Sequence, residues 1–193
     1  HSFPTRRSSD LMIPNMTVMA PKNKWELSDM MKFAVGYDGP IAIRYPRGEA
    51  YDGLEEYRAP VLKGRSEMIY EGESIALLPV GSMVKTACQV YEMLKEEGEN
   101  PTLVNARFVK PLDEKMLDRL AKEHSLLVTM EENVQKGGFG SAVLDYMHRQ
   151  HPQVRVLNVA LPDRFIEHGN PEKLKEKAGI DAVSVYKRVK EAK

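Results

Sequence analysis

Two arginines bracket a proline in the stretch Arg44-Tyr45-Pro46-Arg47-Gly48, directly after the apolar run Ile41-Ala42-Ile43. A guanidinium presents donors in a fixed fork, so it can hold a phosphate or carboxylate through two parallel charge-assisted bonds. Ile41, Ile43 and Tyr45 share one face of the predicted strand, and Ala42 and Arg44 share the other. Pro46 ends the strand, which puts Arg47 where the chain leaves the sheet. Gly48 beside it permits close backbone approach. Ligands of open α/β sheets bind outside the carboxyl ends of strands. Two readings stand at this point: an anion grip, or Arg44 paired with an acid at an interface and Arg47 solvated.

Other residues could also do chemistry. Glu131-Glu132-Asn133 leaves a predicted strand, and paired carboxylates can serve as acid and base or hold a metal. Adjacent residues of an extended chain point apart, which favours a strand-exit turn with one glutamate in a structural pair. Gly137-Gly138-Phe139-Gly140-Ser141 lacks the spacing and lysine of a phosphate-binding loop, so a tight turn with close helix packing is expected. His124, His148, His151 and His168 show no ligand-type spacing. The lone Cys88 lies in a helical pattern and reads as a small core residue in a reducing compartment.

The elements that must position these residues alternate short β-rich runs with helical periods, which predicts an α/β fold with a parallel sheet. Thr17–Ala20 reads as a strand, with Asn23 and Glu26 as a capping box ahead of a helix over Leu27–Val35. A polar connector runs from Asp52 to Gly72, with a short edge strand over Met68–Tyr70. Strands follow at Ser74–Val80, Pro101–Ala106, Leu126–Met130 and Val154–Val159. Helices are predicted over Val84–Leu94, after Asp113 as N-cap, after the glycine loop, after Asn170-Pro171, and after Asp181. Residues before about 60 hold too little to bury a core alone, so the strand at Ile41–Tyr45 needs a cover.

The bulk numbers exclude some functions. Twenty-eight basic residues balance 28 acidic ones, for a formal net charge of +0. That balance gives no support for nucleic acid or an anionic membrane as partner. No apolar run approaches the roughly 18 residues of a membrane span.

Taken together, "IPNMTVMAPKNKWEL", "DGPIAIRYPRG", "NARFVKPLDEKML", "VTMEENVQKGGFGSAVL" and "LNVALPDRFIEHG" resemble the 1-deoxy-D-xylulose-5-phosphate synthases. These are thiamine-diphosphate enzymes of the transketolase superfamily. The resemblance covers residues 12 to 193. It implies a chain made of the truncated end of a pyrimidine-binding domain, residues 12–60, followed by a transketolase C-terminal domain, residues 61–193. The latter would carry a mostly parallel sheet of four to five strands. The implied activity of the full-length parent is condensation of pyruvate with glyceraldehyde 3-phosphate, with loss of CO₂, in isoprenoid, thiamine and pyridoxal precursor synthesis. The fragment is expected to be inactive alone. Arg47 matches the family arginine that helps hold the glyceraldehyde 3-phosphate phosphate, and Arg44 takes a supporting role. Thiamine diphosphate and Mg²⁺ are implied for the full-length enzyme, with their binding residues outside this chain. A bacterial cytoplasmic homodimer is expected. Alternatives are a non-catalytic dimerisation module and the tail of a 2-oxoacid dehydrogenase β-subunit.

Residues 1–11, "HSFPTRRSSDL", depart from the family and are expected to be non-native. His1 falls by counting where the family has an active-site histidine, a match its neighbours do not support.

Overall fold

The computed structural model describes residues 8–46, 49–163 and 169–193. After a 3-10 turn at Ser8–Met12, the chain forms strand β1 (Thr17–Met19), helix α1 (Lys24–Val35) and strand β2 (Ile41–Ile43). Strands β3 (Glu67–Tyr70) and β4 (Ser74–Pro79) come next, then helix α2 (Met83–Glu96). Strands β5 (Thr102–Asn105) and β6 (Phe108–Lys110) precede helix α3 (Glu114–Glu123) and the long strand β7 (His124–Val134). Helix α4 (Phe139–Gln150), strand β8 (Arg155–Leu161) and helices α5 (Pro171–Ala178) and α6 (Ala182–Ala192) complete the order.

Five strands form the larger sheet in the order β3-β5-β4-β7-β8. Only the edge strand β3 runs antiparallel, so the expected four- to five-stranded, mostly parallel sheet is what the chain builds. Alternation along the strands sends side chains to two separate cores. Ile75, Leu77, Leu126 and Val128 pack under α2 and α6, with Val84, Val90, Val185 and Val189. Ala76, Leu78 and Leu127 pack on the other face under α3 and α4, with Leu117, Leu120, Phe139 and Val143. Being apolar on both faces is what makes β4 and β7 interior strands.

The helix caps follow the sequence with one exception. Asn170 accepts from Glu172 N–H, with Pro171 at the first helical position, and Asp181 accepts from Ser184 N–H. Asp113 accepts from Met116 N–H at 3.2 Å and also from Ser66 N–H at 2.7 Å. It thus joins a helix start to the connector before β3. Asp113→Ala should cost about 1–2 kcal/mol by urea unfolding, because both a cap and a loop amide lose their acceptor. The exception is the capping box. Asn23 caps α1, accepting from Glu26 N–H at 2.9 Å. The Glu26 carboxylate does not return to Asn23; it accepts from Lys22 N–H at 2.6 Å and enters a buried ionic cluster.

A second, three-stranded sheet has the order β2-β1-β6. β1 pairs parallel with β2 and antiparallel with β6. The sequence reading contains no strand at Phe108–Lys110. It forms because the chain turns sharply after β5: Arg107 has φ 57, and its carbonyl accepts from Ala20 N–H at 2.8 Å. The C-terminal region thereby contributes a strand to the N-terminal sheet, and Phe108 fills its core with Met19 and Met30.

Candidate functional site

The carboxyl ends of both sheets meet. Arg44 N–H donates to Met19 O at 2.8 Å, joining the ends of β2 and β1. Val80 N–H donates to Met130 O at 3.0 Å, and Ala106 N–H donates to Pro79 O at 3.0 Å, joining β4, β7 and β5. Between them the backbones nearly touch. A Cβ added to Gly81, at φ 61, would sit 3.0 Å from the Ala20 Cβ. Crevices at such strand ends are where α/β sheets take ligands.

Arg44 stands on this rim. Its guanidinium lies against Asp10, with Nε donating to Oδ2 at 3.0 Å and Nη2 donating to Oδ1. Both side chains are largely buried. Arg47 and Gly48 lie outside the described residues, as do His1 and His168.

The glutamates part company, as adjacent strand residues must. Glu131 turns inward and is almost wholly buried. Its two oxygens accept from Phe139 N–H at 3.0 Å and Gly140 N–H at 2.8 Å, the first turn of α4. A carboxylate there satisfies amides that a helix start leaves without partners. Burial pushes the Glu131 carboxyl above the usual carboxylate range; the bonds from Gly140 and Phe139 and the nearby Arg44 charge pull the other way and do not cancel it. Glu132 turns outward to Lys175 at 2.9 Å, anchoring α5.

The glycine loop is built around that carboxylate. A Cβ at Gly138 would come within 2.5 Å of Glu131 Oε2, and one at Gly140 would strike the Asn158 amide. The turn therefore takes a protein carboxylate where a phosphate loop would take a ligand. Two of the other candidates have structural partners. His124 lies between Leu120 O (2.9 Å) and Thr102 Oγ1 (2.7 Å), and His151 pairs with Asp118 at 2.7 Å. Burial holds the Cys88 thiol up at about 11, so it is a poor nucleophile. Among the described residues no group of three or more His, Cys, Asp or Glu side chains could hold a metal ion. No helix among them is long and apolar enough to cross a membrane.

Sequence reasoning missed the ionic cluster behind the rim. Lys22, Glu26, Glu67 and Arg107 have side chains between 1% and 3% exposed. Arg107 Nε donates to Glu26 Oε1 at 2.6 Å, and its Nη2 lies 3.0 Å from Glu67 Oε1. Lys22 Nζ donates to Glu67 Oε2 at 2.7 Å, and Asn105 Nδ2 donates to Glu26 Oε1 at 2.9 Å. The group links the exit of β1, the start of α1, the start of β3 and the exit of β5. It fixes the two rims relative to each other.

Comparison with known proteins gives the fold its relatives. Curated 1-deoxy-D-xylulose-5-phosphate synthases match nearly the whole chain. That of Lachnoclostridium phytofermentans is 48% identical over 178 residues, 92% of this chain and 28% of that protein. That of Aquifex aeolicus is 44% identical over 180 residues, 93% of this chain and 29% of that protein. The chain thus spans less than a third of the length of these relatives. Among solved structures, "Split gene transketolase, inactive beta4 tetramer" superposes with a TM-score of 0.86 at 29% identity, covering 96% of this chain and 60% of that one. Transketolase from Campylobacter jejuni shares the fold, with a TM-score of 0.67 at 17% identity over 94% of this chain and 27% of that one. Residues 64–185, which carry the five-stranded sheet, match the family "Transketolase, C-terminal domain", and the chain belongs to it.

Proposed function

We propose that this chain is the C-terminal part of a 1-deoxy-D-xylulose-5-phosphate synthase. In that reading residues 12–60 are the end of a pyrimidine-binding domain and residues 61–193 the C-terminal domain. The observation that carries the proposal is identity of 44–48% to such synthases over more than nine-tenths of the chain. The complete enzyme joins pyruvate to glyceraldehyde 3-phosphate with loss of CO₂. Thiamine diphosphate with Mg²⁺ supplies the electron sink for decarboxylation in the family. In the family the site for that metal lies in domains outside the span of this chain, and in this reading the fragment alone is inactive.

What this chain adds is substrate placement. Arg44-Tyr45-Pro46 leaves β2 at the rim, and in this reading Arg47 of the "RYPRG" motif holds the phosphate of glyceraldehyde 3-phosphate through its two-donor fork. Fixing the phosphate orients the aldehyde, a contribution to binding and alignment rather than to bond making. Arg44, two residues before Pro46, supports that stretch. Here Asp10, from the segment expected to be non-native, occupies its guanidinium; the parent's own segment would stand there instead.

The test is a chimera. The part of the Lachnoclostridium synthase outside the matched span is joined ahead of Met12, replacing residues 1–11. The chimera should form 1-deoxy-D-xylulose 5-phosphate and the isolated chain should not. A folded, cofactor-loaded chimera without activity overturns the reading. In the chimera, Arg47→Ala should raise KM for glyceraldehyde 3-phosphate about 10- to 100-fold, the loss of one charge-assisted pair. KM for pyruvate should stay within about threefold. Equal effects on both substrates would remove Arg47 from this role.

A second reading, a non-catalytic interaction module, draws on one observation. The split-gene transketolase chain that superposes on 96% of this one forms an inactive β4 tetramer. Size-exclusion of the isolated chain addresses it: a monomer at micromolar concentration speaks against a module whose work is self-association.

A further inference from the structure

One buried side chain ties the connector between β2 and β3 to the larger core. Of residues 49–66, Leu54 alone is buried, while Asp52, Glu55 and Glu56 around it are exposed. Its side chain belongs to the same core as Ile69, Met83, Val84 and Ala87. Its backbone stands at φ 61, a left-handed conformation that a bulky side chain rarely takes. Strain of that kind persists where the surroundings over-determine it, and it gathers at functional sites.

The start of α1 supplies a second tie at the same place. Asn23 uses both ends of its amide. Oδ1 accepts from Glu26 N–H, which is the helix cap. Nδ2 donates to Gly53 O at 2.9 Å and to Leu54 O at 3.3 Å. A cap needs only an acceptor, which a serine hydroxyl also supplies; the two donated bonds serve the connector alone. The fold here is tight, since a Cβ at Gly53 would strike the Tyr51 hydroxyl. Upstream, Arg44 N–H donates to Met19 O at 2.8 Å. The chain therefore leaves one fixed point at Arg44 and returns to another at Gly53 and Leu54. In sequence, Arg47 lies between them.

We propose that Leu54 and the Asn23 amide are positioning residues for the phosphate of glyceraldehyde 3-phosphate, because they fix the downstream end of the arginine-bearing stretch to the C-terminal core. The inference rests on the synthase reading and on the role of Arg47 in it. A guanidinium fork binds by direction as well as by charge. Releasing an anchor a few residues away therefore costs alignment at the phosphate, although neither anchor touches substrate.

Two measurements test this. The first is native-state trypsin cleavage of the isolated chain after Arg47. Leu54→Ala and Asn23→Ser should each speed that cut at least about fivefold. Cuts after Lys95 in α2 and Arg119 in α3 report global unfolding, and the acceleration is read relative to them. Asn23→Ser keeps a cap and leaves the core intact, so it decides the matter if Leu54→Ala fails to fold. The second is kinetics of the chimera. Each substitution should raise KM for glyceraldehyde 3-phosphate about 3- to 10-fold and leave KM for pyruvate within about twofold. In an Arg47→Ala background the same substitutions should move KM by less than about twofold, because they act through Arg47. Leu54→Met, which restores the buried side chain, should return both readouts close to wild type. An unchanged cut after Arg47 overturns the proposal whatever the chimera does. A faster cut in an active chimera with no selective KM change overturns it too, as does a KM change of equal size in both backgrounds; both leave the synthase reading standing. A faster cut with a folded, cofactor-loaded chimera that makes no product overturns the synthase reading, and the substrate role of the anchors falls with it.

Discussion

Arg107→Met should lower the unfolding free energy of this chain by about 3–5 kcal/mol, the usual cost of breaking a buried ion pair from one side. Arg107 and Lys22 face Glu26 and Glu67, so the cluster is neutral as built. Methionine fills much of the volume but leaves two carboxylates to one ammonium, out of reach of water. It also strips Ala59 O and Pro60 O of the donors that Arg107 provides at 2.8 and 3.1 Å. Because the charge imbalance is the main cost, Glu67→Gln in the same chain should recover part of the loss. The double-mutant cycle should then show coupling of about 1–3 kcal/mol. Added salt should change little, since buried charges are weakly screened. Urea unfolding of the four proteins measures all of this. A loss under about 1 kcal/mol for Arg107→Met would mean that water reaches the cluster in solution. The backbone adds a check. Arg107 sits at φ 57, a conformation that costs a non-glycine residue of order 1 kcal/mol, and Arg107→Gly would relieve it. If Arg107→Gly is nevertheless as damaging as Arg107→Met, the side chain and not the turn is what matters there.

That cluster also marks where the sequence stopped being legible. The strands β4, β5, β7 and β8 announce themselves as apolar runs. Asn170-Pro171, Asp113 and Asp181 announce helix starts, because those signals are local. Glu26 gave a local signal too, three residues after Asn23, and it misled: besides Lys22, its carboxylate is held by Asn105 and Arg107, which lie 79 and 81 residues away in sequence. Nothing in the spacing of four ordinary charged residues shows that folding will bury them together. Strand β6 escaped notice for a related reason. Phe108-Val109-Lys110 is three residues long and is a strand only because β1 offers it an edge. At the rim, the divergence of Glu131 and Glu132 was readable from strand geometry. Their partners, the α4 amides and Lys175, were not. The glycine loop was readable as a turn, but the carboxylate that requires Gly138 and Gly140 came only with the fold.

Glu131 carries the second large expected effect, and the two substitutions that test it should behave differently. Glu131→Ala removes the acceptor of Phe139 N–H and Gly140 N–H and leaves a hole beneath the glycine turn. Two amides without partners in a dry site put the cost at about 2–4 kcal/mol. Glu131→Gln keeps the volume and one acceptor oxygen, and it carries no charge to bury, so it should cost less. The pH profile separates charge from shape. Burial raises the Glu131 carboxyl pKa in the folded chain, so over the window between its unfolded and folded values the native state holds more protons than the unfolded one. The stability Glu131 contributes is therefore fully present below the unfolded pKa and is lost as pH rises through the folded one. Glutamine does not titrate. The stability of the wild-type chain relative to Glu131→Gln should accordingly fall as pH is raised from 4 toward neutrality, measured by urea unfolding at each pH. A gap that widens in favour of wild type over that range would mean that the two amide bonds and the Arg44 charge outweigh desolvation. The carboxylate would then be held by the rim as an anion.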